Sequence, residues 1–198
     1  MKILGISCSP RKGQTTYKAL QYCLASAQKV DSKIHTEIIE LADQDIRPCV
    51  ACGGCKNSLQ CPIPDEFHTL IPTLADKNIV GMIIGTPVYF GSMTAQCKAF
   101  LDRCVMFRRN NWIFRNRVAG VLAIGGVRNG GQELAIQGVQ AACLCHDMIC
   151  VSDGQTTAHF GGALWSGGPE GIQNDVIGLE TAANLGKRVA QLACQLSK

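Results

Sequence analysis

Four cysteines lie within thirteen positions in the order Cys49-x2-Cys52-x2-Cys55-x5-Cys61-Pro62. Thiolates at such close spacing are soft metal ligands, suited to an iron–sulfur cluster or to zinc. The two short gaps and the closing Cys-Pro stand near the bacterial ferredoxin run, with a longer last gap. Because no second quartet exists, that gap lets Cys61 swing back so that all four thiolates bind one four-iron cluster. Gly53 and Gly54 are small enough for cluster sulfides to meet backbone N–H groups. Structural zinc is the second reading and ligand-free thiols the third. The cluster is preferred because zinc sites usually split two Cys-x-x-Cys pairs by a long spacer.

A second chemistry is written in Ser7-Cys8-Ser9-Pro10-Arg11-Lys12-Gly13-Gln14-Thr15-Thr16, where hydroxyls, two cations and a flexible Gly precede a helical stretch. A phosphate placed there gains N–H donors and a favourable helix dipole, with contacts expected from Ser9, Arg11, Lys12, Gln14, Thr15 and Thr16. The segment matches neither G-x-x-x-x-G-K-[ST] nor G-x-G-x-x-G, so a mononucleotide such as FMN fits it better than a triphosphate or a dinucleotide. Taken alone, an ordinary capped turn explains it nearly as well. Two further loops change the balance. In Thr86 to Ser92, Pro87, Val88, Tyr89, Phe90 and Gly91 offer main-chain donors and a ring to a flat heterocycle, which Tyr89 would stack on or flank. In Gly125 to Gln132, Gly125, Gly126 and Gly130 let backbone approach a ligand edge that side chains would block. Three such loops on one sheet rim are what a flavin site needs. No Ser-His-Asp set, paired carboxylates or nucleophile with a placed base accompanies them, so no acid–base catalyst is nominated.

These loops need a scaffold, and the apolar pattern supplies one. Strands are expected at Lys2 to Cys8, Ile34 to Leu41, Ile79 to Gly85, Val118 to Ile124 and Met148 to Val151. Helices are expected from Thr16 to about Lys29, from an Asp65 cap to about Asp76, from Met93 to Met106, from Gln132 to about Cys145, and from about Asp175 to Gln195. A Gly-rich loop covers Ser152 to Asn174. Five apolar strands alternating with five helices imply a doubly wound α/β fold, a five-stranded parallel sheet covered on both faces. The cysteines then sit on an excursion after the second strand, about residues 42–64. The loops after Cys8, Gly85 and Ile124 lie outside the carboxyl ends of the strands, where such sheets bind ligands.

Composition narrows the class. At 198 residues, and with roughly 150 residues per domain, the chain is expected to be one domain with an elaborated loop. Lys+Arg 19 minus Asp+Glu 15 gives +4, and charged residues are 17%, below the typical share of about 25%. Neither a disordered tail nor a nucleic-acid arm is suggested. The longest apolar stretch, Ile79 to Ile84, falls far short of the roughly 18 residues of a membrane helix. The N-terminus reads as a strand and not as a signal peptide, so a cytoplasmic protein is expected. Twelve cysteines are fewer than the share of about 8–10% in disulfide scaffolds, which in a reducing compartment favours metal ligation for the clustered four. Cys23, Cys97, Cys104 and Cys194 read as small hydrophobes on helices, and Cys143, Cys145, His146 and Cys150 as core residues at a helix end and a strand. His35, His68 and His159 show no ligand spacing. Lys98, Arg103, Arg108, Arg109, Arg115 and Arg117, opposed only by Asp102, read as a solvated face or a subunit contact before a docking patch for an acidic electron carrier.

With these residues in hand, the chain resembles the iron-sulfur flavoproteins, a branch of the NADPH-dependent FMN reductase superfamily with a flavodoxin-like fold. The likeness spans nearly the whole chain. It is carried by Ser9-Pro10-Arg11-Lys12-Gly13 with Thr15-Thr16, the compact motif from Cys49 to Cys61, Pro87 to Met93, Lys98 to Arg103, and Gly178 to Arg188. Where relatives often have Asn, this chain has Gln14. The resemblance implies FMN bound by the three loops, one 4Fe-4S cluster, and a homodimer or homotetramer in which flavin and cluster of different subunits lie close. The function expected is single-electron transfer between cluster and FMN, linking a one-electron carrier such as a ferredoxin to a two-electron acceptor. Two alternatives stand beside it: a NAD(P)H-dependent FMN or quinone reductase with structural zinc or ligand-free cysteines, and a flavin-free nucleotide or metal sensor.

Overall fold

The near-continuous apolar runs become strands whose successive side chains enter opposite cores. In β4 (Val118–Gly125), Ala119, Val121 and Ala123 face one core while Val118, Leu122 and Ile124 face the other, as the two-residue period of a strand requires. The same alternation divides β1 (Lys2–Ser7) and β3 (Ile79–Pro87), and β2 (His35–Glu40) is the more polar partner of β1. This computed structural model describes residues 1–197 of the chain.

The sheet is parallel throughout, in the order β2-β1-β3-β4-β5, with β5 at Ile149–Cys150. The chain moves outward from β1 to β2 and then returns to the other side of β1 as β3, which puts the topological switch between β1 and β3. Helices α1 (Thr15–Gln28) and α6 (Val176–Leu196) cover one face. The other face carries α2 (Phe67–Leu74), α3 (Ala95–Arg103), α4 (Val105–Arg109) and α5 (Gln132–Leu144). Phe67, Phe107 and Phe114 fill the space under them, with Phe107 and Phe114 stacked at 4.6 Å between centroids. Each large side chain buried this way stabilises the fold by about 1.5–3 kcal/mol.

The doubly wound parallel architecture is as expected, and four details differ. The region expected as a Gly-rich loop contains a sixth strand, β6 (Gly162–Trp165), and a 3-10 turn at Gly171–Asn174. β5 pairs Val118 and Ala119 while β6 pairs Leu122 to Gly125, so the two occupy the outer edge of β4 in succession. The helix expected over Met93 to Met106 is two helices. Thr94 caps the first through an N–H bond from Cys97, and Phe107 N–H bonds back to the Cys104 carbonyl in a tighter turn that separates them. Asp65 lies one residue before the N-cap of α2 and accepts from Phe67 N–H at 3.2 Å. Its second role is an ion pair with Arg103 in which both side chains are buried. The basic stretch is therefore not one solvated face, because Arg103 and Arg117 point inward, the latter donating to the carbonyls of Leu74 and Asp76.

Candidate functional site at the carboxyl rim of the sheet

The first loop turns immediately after β1. Ser9 Oγ accepts from Arg11 N–H at 3.1 Å, which folds the chain back, and Gly13 N–H donates to the Glu40 carboxylate at 2.7 Å. Helix α1 then starts at Thr15 with Gln14 as N-cap and no side chain bonded across its first turn. The N–H groups there keep their capacity for an incoming acceptor, and the dipole favours an anion. Arg11, Lys12 and Gln14 are exposed, Thr15 is half-buried and Ser9 and Thr16 are buried. Beneath them Cys8 is inert: burial, then the neighbouring Cys97, pushes its thiol well up.

The second loop leaves β3 at Pro87 and reverses at once. Tyr89 and Ser92 exchange backbone hydrogen bonds of 2.9 and 3.1 Å around Phe90 and Gly91, both of which have positive φ. That turn puts Phe90 fully into solvent and leaves Tyr89 half exposed, two rings held at the rim with nothing of this chain covering the first. Val88 is anchored by its N–H to the Ile124 carbonyl. The third loop is built around buried Gln132, whose amide accepts from Gly130 N–H and donates to the carbonyls of Val127 and Leu164. Gly131 has φ of +98°, and a Cβ there would stand 3.0 Å from the Gly91 Cα, so the second and third loops touch backbone to backbone. Gly126 is exposed and a Cβ on it would meet nothing within 4 Å.

All three glycine- and hydroxyl-bearing loops thus share one rim, as their positions after β1, β3 and β4 require. Sequence reasoning missed four of the residues that hold them there. Thr94 Oγ1 donates to the Cys8 carbonyl at 2.8 Å, Glu40 receives Gly13, Gln132 organises the third loop, and Trp165 Nε1 donates to the Gly126 carbonyl at 3.0 Å. Only the Thr94 cap before an apolar helix left a local signal.

The cysteine quartet lies between β2 and α2, and the loop is fastened to α3 and α4. Asn110 donates to the carbonyls of Cys55 and Ser58, Arg103 to that of Arg47, and Arg109 to Cys55 Sγ at 3.3 Å. Ala51 N–H points at Cys49 Sγ at 3.5 Å. His68 bonds the Cys61 carbonyl and offers the sulfurs nothing. Cys55 is buried, Cys49 and Cys61 half-buried and Cys52 exposed. The four sulfurs are on one loop but do not converge: among the described residues no three Cys, His, Asp or Glu side chains are gathered closely enough to hold a metal ion. The donor set still suits a thiolate cluster, since a guanidinium and a backbone N–H are already directed at two of the sulfurs.

Comparison with known proteins bears on both halves of this site. The model of the NADPH-dependent FMN reductase family matches residues 1–163. An iron-sulfur flavoprotein of Methanocaldococcus jannaschii is 42% identical over 199 residues, all of both chains. The chain belongs to this family, in its iron-sulfur flavoprotein branch. A second iron-sulfur flavoprotein, from Methanosarcina thermophila, is 36% identical over 97% of this chain and 95% of its own. Among solved structures, a flavone reductase superposes on the whole chain with a TM-score of 0.73 at 16% identity, this chain spanning 64% of its length. A WrbA-like flavodoxin from Agrobacterium tumefaciens gives 0.62 at 16% identity, covering 98% and 97% of the two chains. These two establish the flavodoxin-like fold. Among the described residues no helix is long and apolar enough to cross a membrane.

Proposed function

We propose that the protein transfers electrons between a 4Fe-4S cluster on Cys49, Cys52, Cys55 and Cys61 and FMN held by the three rim loops. Membership of the family carries flavin-based redox function; the cofactor pair and the residues assigned to it are the proposal. The observation that carries it is the bond from Gly13 N–H to Glu40. It ties the phosphate-type loop to the last residue of β2, so the segment that carries the quartet leaves the sheet from the rim that holds the phosphate-type loop.

When bound, FMN accepts a hydride or two single electrons and a four-iron cluster one electron at a time, which suits a protein linking one-electron and two-electron partners. The chain's own part is positional. Ser9, Thr15 and Thr16 with the uncapped start of α1 receive the phosphate, and Arg11 and Lys12 neutralise it. Pro87 to Gly91 and Gly125, Gly126 and Gly130 frame the ring system. Arg109 and Ala51 N–H direct donors at the Cys55 and Cys49 sulfurs, and Asn110 fixes the loop that carries them. The partner assigned is a one-electron carrier such as a ferredoxin, in a cytoplasmic homodimer or homotetramer.

Anaerobic stopped-flow mixing tests this reading. A reduced ferredoxin-type donor reduces FMN quickly in the native protein and much more slowly in Cys55→Ala, while chemical reduction of FMN survives in both. Equal rates would make the cysteine loop structural. Rapid reduction of both proteins by NADPH would favour direct hydride transfer, and stoichiometric zinc in place of iron and sulfide would overturn the cluster assignment.

A further inference from the structure

A cleft of about 550 Å³ opens between the α3–α4 pair and α5, with Cys49 and Ala51 of the cysteine loop at one end. None of its lining residues belongs to the three rim loops. Leu101 and Val105 supply apolar surface from α3 and α4, and Gly138, Ala141 and Ala142 present a flat, small-residue surface from α5. Volume and lining are those of a small-molecule site, mostly apolar with a few placed polar groups.

Of the charged groups lining it, one pair cancels and two guanidiniums remain. Lys98 is neutralised by Asp102 at 2.6 Å. Arg108 is exposed, has no carboxylate partner among the described residues, and lies with its guanidinium 4.7 Å from the Trp112 ring centroid. Arg109 adds a second guanidinium. His146, also lining the cleft, is buried and its Nδ1 has no hydrogen-bond partner. An apolar slot with guanidiniums at its edge selects a flat ring system bearing an anionic group, because small apolar side chains accept the ring face and guanidinium pairs with oxyanions.

We propose that this cleft binds a planar aromatic small molecule carrying an acidic group, its rings on Ala141 and Ala142 and its anion on Arg108. The inference deepens the electron-transfer reading and rests on it for its meaning, since a ligand there stands beside Cys49 and belongs to the class of anionic, quinone-like electron carriers. Binding itself is independent of what the cysteines hold.

Titration calorimetry on oxidised, FMN-saturated protein tests it, using anthraquinone-2-sulfonate and the uncharged 2-(hydroxymethyl)anthraquinone. Saturable binding of the sulfonate is expected, abolished by Ala141→Trp, which fills the slot from an exposed helix position. Arg108→Ala should weaken the sulfonate about tenfold, the loss of one charge-assisted contact, and leave the uncharged ring unchanged. Flavin and iron contents of both variants should equal those of the unmodified protein. No saturable binding with the flavin site filled, unchanged affinity in Ala141→Trp, or equal weakening of both ligands by Arg108→Ala would overturn the site. Absence of iron from the unmodified protein would instead overturn the cluster reading and leave the binding result intact.

Discussion

Burial decides, one side chain at a time, what the cations between Lys98 and Arg117 do. Arg103 is sealed against Asp65, and breaking such a buried pair from one side costs about 3–5 kcal/mol. Arg117 gives its donors to backbone carbonyls, and burial pulls it down to about 10. Their partners lie some forty residues upstream, so the sequence shows the charges and hides their destinations. His146 makes a testable case. Burial, then the Arg108 charge, lowers it from the usual 6.5 to about 4. Between those values the unfolded chain holds a proton that the native one refuses, so stability is intact above pH 6.5 and falls as pH drops toward 4. The slope is up to about 1.4 kcal/mol per pH unit. Urea unfolding across this range should show it in the native chain and not in His146→Leu; parallel curves would refute the assignment. At the rim, Arg11→Ala combined with Thr15→Ala should lower FMN retention after gel filtration, and unchanged flavin content would remove the phosphate from that loop.

The elements that position the site are legible in unequal measure. β1, β3 and β4 announce themselves because strands buried on both faces must be apolar throughout, and the rim loops because Gly, Pro and hydroxyl residues mark turns locally. β6 is four residues long and flanked by glycines, so nothing in its own sequence separates it from the surrounding loop; its identity comes from pairing with Leu122 to Gly125. The convergence that matters most is equally non-local. The Asp175 carboxylate, buried at the N-cap of α6, accepts from Gly178 N–H at 2.9 Å, Trp165 N–H at 2.6 Å and Arg128 at 2.5 Å. One side chain thus fixes the start of α6, the edge strand and the third rim loop. Asp175→Ala should destabilise the protein by about 2–3 kcal/mol, a lost cap plus an unsatisfied buried N–H. Thermal unfolding measures the loss, and a change below 0.5 kcal/mol (roughly the level of ordinary surface substitutions) would deny Asp175 this role.

Across the whole molecule, the eight cysteines outside the quartet divide by depth. Cys8, Cys23, Cys97, Cys104 and Cys143 are buried, Cys150 and Cys194 half-buried and Cys145 exposed. Burial raises Cys23 to about 12, which leaves it without a reactive thiolate at neutral pH. Brief maleimide treatment of native protein, read by peptide mass spectrometry, should modify Cys145 and spare Cys8, Cys23, Cys97 and Cys104 until denaturant is added; early labelling of those four would contradict the packing of both cores. The two margins of the sheet carry a different consequence. An exposed strand is a template on which another chain can add itself, and natural proteins blunt such margins. On one side the outer margin is cut into two short pieces, Ile149–Cys150 and Gly162–Trp165, separated by the turn of chain between them. On the other, β2 carries Glu37 and Glu40. A protein of this composition, with cores rich in oxidisable sulfur, is thereby guarded against strand-to-strand aggregation at both ends of its sheet while it is still folding.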